Sequence, residues 1–299
     1  MQKTKMRRKD PAKEKRFCHN FVSLELYVDA LNLVELRSKL WRDFISLVSC
    51  NKEFTPDKYD SEKEPPRYDF DSENTEKIYK LLLTGRQTVL FEKYNPYYMF
   101  YTIDSGSINA AGPDNYESIS IEEQYFLELE NIERLITYSK RLYKLFSSIY
   151  ANIAHDEDMD RQNTIYTYYR AGHPREGKWR SMEGFGGDIR KGIPGVYWAN
   201  FFSKVYVEEI GKKKFRTAPC HKRYELFDGG FLLLTSESPL DWQKPEVQEL
   251  RRAMRDHLGY EYFCDIENQE RKCKVPKFDF SAWEKECEYG MKIPDRLKL

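Results

Sequence analysis

The fold is decided by the stretch Lys191–Pro239, which reads KGIPGVYWANFFSKVYVEEIGKKKFRTAPCHKRYELFDGGFLLLTSESP. Pro194-Gly195 is a turn signal, and the segment Val196–Phe202 behind it is mostly apolar and rich in aromatic residues. Such a run is too hydrophobic for an exposed segment, although its length alone does not separate a strand from a buried helix. We therefore place it in the core of the protein.

A β-hairpin is predicted a little further along the same stretch. Two apolar runs, Arg223–Phe227 and Phe231–Thr235, are separated by Asp-Gly-Gly. Asp-Gly is typical of tight hairpin turns because such turns need residues that accept a positive φ. The second half of the chain is therefore expected to contain a sheet and to be built for packing. Its expected buried residues include Trp198, Phe201, Phe202, Phe231 and Leu233.

Length and composition are typical of a soluble globular protein. The chain has 299 residues, of which 40% are hydrophobic and 33% charged, so it can form one large domain or two ordinary ones. Its 22 tyrosines indicate either thick aromatic packing or a recognition surface. The apolar runs are too short to cross a bilayer and no secretion signal is readable, so we expect no membrane partner and a cytoplasmic location. The six cysteines include no CxxC pair, which favours reduced thiols over a disulfide scaffold or a zinc site.

Charge is balanced overall but unevenly distributed. Residues 1–16 hold eight Lys and Arg against two acidic residues, and they are predicted to form a disordered basic arm. Between Lys93 and Arg134 there is no Lys or Arg, and eight acidic residues occur there. A second acidic segment spans His155–Asp160. Charge segregated in this way produces a field that steers charged partners.

Hydrophobic periodicity predicts the elements of the first half. The pattern indicates a strand over Phe21–Val28, a helix from there to about Cys50, and a long surface loop over residues 51–72. The clearest helical pattern begins at Asn131 and continues over six turns to Ile153. The other predicted elements of this half are a helix over Ser72–Leu83, strands over Thr88–Tyr94, Tyr98–Ile103 and Gln124–Glu130, and a loop over residues 104–120.

The second half adds a strand over Thr164–Tyr169, a helix over Pro245–Leu258 that ends at Gly259, and a strand over Tyr260–Cys264. Strands and helices do not alternate regularly, so the predicted class is α+β, with mixed, mainly antiparallel sheets packed by helices. The predicted division is the arm (1–16), an N-terminal α+β half (17–160) and a C-terminal α+β half (161–299). Both halves are expected to contain a sheet.

The acidic segment His155–Asp160 is open to three interpretations. It can be a solvated helix end, a surface that recognises another protein, or a metal or acid–base site. The Asp156-Asp158-Asp160 alternation is similar to the start of a calcium loop, but Arg161 stands where the loop requires Gly. We therefore assign no metal, no cofactor and no catalytic residue.

A family resemblance lies within the stretch that opens this section. The string Gly192–Phe202, GIPGVYWANFF, resembles the motif region of bacterial immunity proteins, as do the spacing to Tyr224–Leu234, the pair Ser238-Pro239 and the ending Leu258–Phe263. The chain is similar here to the immunity protein 52 family and to the related type VI secretion immunity family, over about residues 160–266. Proteins of these families bind and neutralise a cognate toxin, and the resemblance implies no catalytic residue.

These observations favour a binding protein over an enzyme. The expected function is an immunity protein that neutralises a bacterial toxin, polymorphic or secreted by a type VI system, by occluding its active site. The alternatives are a phage-defence or mobile-element component that binds nucleic acid through its basic arm and Lys212–Arg216, and a metal-dependent hydrolase using the acidic segment. The arm has no aromatic residue to stack on bases, so nucleic acid is not the expected partner. The candidate partner-binding residues are Glu117, Glu122, Glu123, Asp156, Glu157, Asp158 and Asp160.

Overall fold

A computed structural model describes residues 21–28, 30–61, 66–84, 88–104, 116–166, 179–181, 189–265, 268 and 271–277. The predicted basic arm lies outside these residues. The strands are β1 (Phe21–Val28), β2 (Lys58–Asp60), β3 (Tyr68–Asp69), β4 (Thr88–Lys93), β5 (Met99–Asp104), β6 (Tyr116–Glu122), β7 (Ser148–His155), β8 (Thr164–Tyr166), β9 (Trp179–Ser181), β10 (Ala199–Phe202), β11 (Lys222–Glu225) and β12 (Phe231–Leu234). The α-helices are α1 (Ala30–Cys50), α2 (Thr75–Thr84), α3 (Leu129–Leu145), α4 (Asp156–Asn163), α5 (Lys204–Ile210), α6 (Lys212–Thr217) and α7 (Pro245–Leu258).

Ten of these strands form one antiparallel sheet, which confirms the α+β class. Its order is β11-β12-β10-β7-β1-β6-β5-β4-β2-β3, and β8 pairs separately with β9. Both predicted halves contribute strands to this sheet. They join where β10 of the second half pairs with β7 of the first, with Ala199 opposite Ile153.

Helices cover both faces of the sheet around β7, β10 and β12. In β1, Leu24 and Leu26 pack into one hydrophobic cluster and Tyr27 packs into the other, because successive side chains of a strand point to opposite faces. The first cluster adds side chains of α1, α2 and α3, and the second adds side chains of α5, α6 and α7. The centre of the sheet is therefore buried on both sides.

The predicted core residues are confirmed. Trp198, Phe201, Phe202 and Leu233 are completely buried, and Phe231 nearly so. The hairpin of β11 and β12 is confirmed as well, with Gly229 at a positive φ of 84° in its turn. The one polar group of Trp198 is satisfied in the core, since its indole N–H donates to the carbonyl of Ser236 at 3.0 Å.

The helix predicted from Asn131 to Ile153 is wrong in its second part. Helix α3 ends at Leu145, Ser147 has a positive φ of 47°, and β7 follows. A residue at positive φ commonly ends a helix, but it is usually Gly or Asn, so a serine gave no signal. All eight residues of β7 are buried. A strand covered on both faces lacks the alternation that separates it from a buried helix.

The strand predicted over Gln124–Glu130 is also wrong. The strand of this region is instead β6, which begins inside the segment predicted as a loop (residues 104–120) and ends at Glu122. It pairs with both β1 and β5. Its buried Ile119 and Ile121 alternate with half-buried serines. The predicted strand segment is instead a 3₁₀ helix, Glu123–Leu127, followed by the start of α3.

Two smaller predictions need correction. The loop predicted over residues 51–72 contains β2 and β3, which extend the sheet at its edge. The strand predicted over Tyr260–Cys264 is a 3₁₀ helix, Tyr260–Tyr262, and only Phe263 forms a β-bridge, with Ile193. The pairing of β2 with β4 and the bridge of Phe263 to Ile193 join residues distant in sequence, so no local pattern could show them.

Candidate protein-binding surface

The two acidic segments of the sequence meet at one end of the sheet. In the strand register Phe21 lies opposite Glu122, and Val22 lies opposite His155. The residues that follow these strand ends, in the 3₁₀ helix and in α4, are therefore neighbours in space. We call the carboxylates gathered here the acidic end: Glu122, Glu123, Asp156, Glu157 and Asp160.

A direct contact links the two segments. Glu123 Oε1 lies 2.5 Å from His155 Nε2, and these residues are 32 positions apart in sequence. The ring of His155 is buried and stacks on Trp242, with ring centroids 5.4 Å apart. The packing against Trp242 holds the His155 ring in place. The contact between that ring and Glu123 therefore fixes the position of the Glu123 carboxylate.

The remaining carboxylates of the acidic end differ in how firmly they are held. Asp156 accepts a hydrogen bond from the Ser23 hydroxyl at 2.6 Å, and Glu122 accepts one from the backbone N–H of Tyr98 at 3.2 Å. Glu157 is exposed and Asp160 is half-buried. A structural role also accounts for part of this arrangement, since acidic residues in the first turn of α4 interact favourably with the helix dipole.

Asp158 does not belong to this surface. It is 2% exposed, and its Oδ2 lies 2.8 Å from Nη1 of Arg251 on α7. Gln162 also donates to it at 3.1 Å. Burial raises the pKa of the Asp158 carboxyl, and Arg251 and Gln162 oppose that rise. Asp158 therefore joins α4 to α7 inside the protein.

Two exposed leucines follow the first two carboxylates of the acidic end in the sequence. Leu127 closes the 3₁₀ helix and is 75% exposed, and Leu129 opens α3 and is 58% exposed. The exposed residues Glu128 and Glu130 lie next to them in sequence. Exposed leucines that alternate in the sequence with exposed carboxylates offer both the apolar and the charged groups that protein interfaces use.

Glu117 is placed apart from the other candidates. It lies in β6 opposite Leu26 of β1 and Ile103 of β5, five positions before the end of the strand at Glu122. Its backbone is therefore further along the sheet than the acidic end.

The basic residues near the hairpin are largely engaged within the protein. Residues Lys212–Thr217 form α6, in which Lys212 and Arg216 both pair with Glu225, and Lys214 donates to the carbonyl of Leu258. Next to them, Lys222 pairs with Glu133 at 2.8 Å. Cations that are already paired contribute less to phosphate binding, so this region gives little support to the nucleic-acid alternative.

An arginine-lined pocket was not predicted from the sequence. It has a volume of about 280 Å³ and lies between α7, the end of α4 and the segments Pro194–Val196 and Phe263–Asp265. The spacing of Arg251, Arg252 and Arg255 on one predicted helix was the available signal, but their partners come from distant parts of the chain. Within the described ranges, no group of three or more His, Cys, Asp or Glu side chains is arranged to hold a metal ion.

No family model matches the chain, and no curated protein matches its sequence. Among solved structures, a Pseudomonas aeruginosa T6SS protein superposes with a TM-score of 0.42 at 8% sequence identity, over 87% of this chain and 90% of that one. A likeness at this level shows neither a family nor a function. The resemblance to the immunity families therefore rests on the quoted motifs. None of the helices in the described part of the chain has the length and apolar character needed to span a bilayer.

Proposed function

We propose that this protein is an immunity protein that binds a bacterial toxin through the acidic end and occludes the toxin's active site, without catalysing a reaction itself. The observation that carries this proposal is the meeting of two acidic segments, one of which continues in the sequence into the exposed Leu127 and Leu129. The motif resemblance over about residues 160–266 gives it independent support.

The chemistry of this surface fits a partner with a basic cleft. Apolar side chains at the centre of an interface supply most of the binding energy when they are desolvated, and charges at the rim chiefly set the association rate and the choice of partner. Leu127 and Leu129 are suited to the first role, and Glu157, Glu128 and Glu130 to the second. A toxin that acts on a phosphate-containing substrate has such a basic cleft, so this toxin class is the one we propose.

The leucines provide the first test. The product of the neighbouring gene would be expressed in cells alone, with the wild-type protein or with the double variant Leu127→Asp/Leu129→Asp, and growth would be measured; under the proposed function that product is toxic when expressed alone. The wild type should restore growth, and the double variant should not. Binding of the purified proteins, measured by titration calorimetry, should weaken at least 10-fold in the double variant, because the charges oppose desolvation of the contact.

The matched control is Val205→Asp, which adds a carboxylate at another exposed apolar residue, on α5. This variant should bind the toxin and restore growth as the wild type does. If the wild-type protein restores no growth, the proposed function is wrong. If the wild type restores growth and both variants restore it equally well, the proposed surface is wrong.

A further inference from the structure

We infer that the arginine-lined pocket is a binding site for a small phosphate-class dianion, either inorganic phosphate or a phosphate monoester. This site is independent of the proposed toxin binding, and nothing in that proposal requires it. Its walls come from four places in the chain. Helix α7 supplies Arg251, Arg252 and Arg255, the last turn of α4 supplies Arg161, and the opposite wall is formed by Pro194–Val196 and Phe263–Asp265.

The charge of the site matches a dianion. Among the residues that the structure describes, four guanidinium groups line the pocket, and Asp265 is the one carboxylate in its lining. Asp158 lies behind the wall and is paired with Arg251. Two carboxylates against four guanidinium groups leave an excess of two positive charges. Guanidinium groups bind phosphate oxygens through paired N–H donors, and a volume of about 280 Å³ suits a small ligand.

Arg251 is the buried element of the site. It is 4% exposed, and Nη1 donates to Asp158 Oδ1 at 2.9 Å. Its Nη2 is buried and makes no hydrogen bond within the described chain, and the same is true of Arg255 Nε. Burial lowers the pKa of the Arg251 guanidinium, and Asp158 opposes that effect. The ion pair with Asp158 explains why Arg251 can be buried. It leaves the N–H groups of Arg251 Nη2 without an acceptor in the described part of the chain, and a buried donor without an acceptor is costly in free energy.

Aromatic rings hold two further arginines in place without using their N–H groups. The guanidinium carbon of Arg161 lies 4.7 Å from the centre of the Trp242 ring, and that of Arg255 lies 4.8 Å from the centre of the Tyr260 ring. Stacking of this kind orients the plane of the group and leaves its edge available for an oxyanion. Arg252 is exposed at the same helix face. The site thus combines one buried donor group with three that are open to an incoming ligand.

The test uses the full-length protein in buffer free of phosphate and sulfate. Inorganic phosphate, sulfate and phenyl phosphate would be titrated separately by calorimetry and by thermal unfolding, at an ionic strength held constant with sodium chloride. The wild type should bind phosphate with saturation and unfold at a higher temperature in its presence. If phenyl phosphate binds more tightly than inorganic phosphate, the ligand is a monoester, and the reverse order identifies free phosphate.

Variants locate the binding within the molecule. Arg255→Gln should weaken phosphate binding at least 10-fold, and Arg252→Gln should do so by a smaller factor. The matched control is Arg42→Gln, which removes an arginine that also stacks on a tyrosine, Tyr79 at 4.0 Å, but lies on α1 outside the pocket. The inference is overturned if phosphate has no effect beyond that of chloride, or if Arg255→Gln and Arg42→Gln bind it equally.

Discussion

The two faces of α4 place neighbouring acidic residues in opposite environments. Asp158 on the inner face is buried and paired with Arg251, whereas Glu157, its neighbour in sequence, is exposed at the acidic end. One carboxylate contributes to the interior of the protein, and the other to the charge that a partner encounters. A count of acidic residues in a segment therefore does not give the charge of the surface that the segment forms.

Removal of the buried carboxylate is expected to have the largest effect. Asp158→Ala leaves the charge of Arg251 buried without its partner, and a broken buried ion pair costs about 3–5 kcal/mol of unfolding free energy. The measurement is urea unfolding followed by circular dichroism. The control is Asp160→Ala on the same helix, which should change the unfolding free energy by less than about 0.5 kcal/mol. Equal losses in both variants would show that the two faces of α4 do not differ as described.

A double replacement sharpens the same comparison. Asp158→Leu combined with Arg251→Met removes both charges and keeps apolar volume, and replacement of a whole buried pair is often neutral. The double variant should therefore recover most of the stability that Asp158→Ala loses. A double variant as unstable as the single one would show that hydrogen bonds to the pair matter more than its charge.

Glu25 in β1, which is half-buried by surface exposure, provides a pH-dependent comparison with the exposed carboxylates. Burial raises its pKa, hydrogen bonds from Tyr27 at 2.8 Å and Asn152 at 3.3 Å oppose that rise, and Asp156 adds to it. Because the pKa in the folded protein exceeds that of the unfolded chain, ionisation of Glu25 favours unfolding. Its contribution to stability is therefore present at low pH and is lost as the pH rises through the folded pKa.

Glu25→Gln should consequently gain stability relative to the wild type as the pH is raised from about 4 to about 7. The gain should be almost absent at pH about 4 and should grow as the pH rises through the folded pKa of Glu25, because only the ionised carboxylate is disfavoured by burial. Unfolding free energies measured across this range provide the test. A gain that does not depend on pH would contradict the assigned cause.

The smallest effect on stability, and a clear effect on binding, is expected at the acidic end. Glu157→Lys should change the unfolding free energy by less than about 0.5 kcal/mol, because the side chain is exposed. Under the proposed function it should slow association with the toxin and weaken the dependence of the rate on salt. The control is Glu73→Lys, an exposed charge reversal in the turn before α2. Stopped-flow association rates that are the same for both variants would exclude Glu157 from the interface.

Much of the fold could be read from local patterns. Strand β1, the hairpin of β11 and β12, and helix α7 were predicted because each carries its own periodicity or turn residues. The course of the chain between Leu145 and His155 could not be read in this way. A strand buried on both faces has the same apolar content as a buried helix, and Ser147, which precedes the strand, is not a residue type that normally marks a helix end.

The candidate surface was only partly predictable for a related reason. The sequence indicated two acidic segments, but their meeting depends on the pairing of β1 with both β6 and β7. It also gave no reason to separate Asp158 from its acidic neighbours, since its partner Arg251 is 93 residues away.

The sequence by itself determined the α+β class, the buried aromatic centre around Trp198 and the uneven distribution of charge, because these follow from composition and short-range periodicity. Only the tertiary structure decided which carboxylates are exposed, which is buried against Arg251, and which arginines share a pocket. These outcomes depend on contacts between residues far apart in the chain, and such contacts are set by the packing of helices on both faces of one sheet.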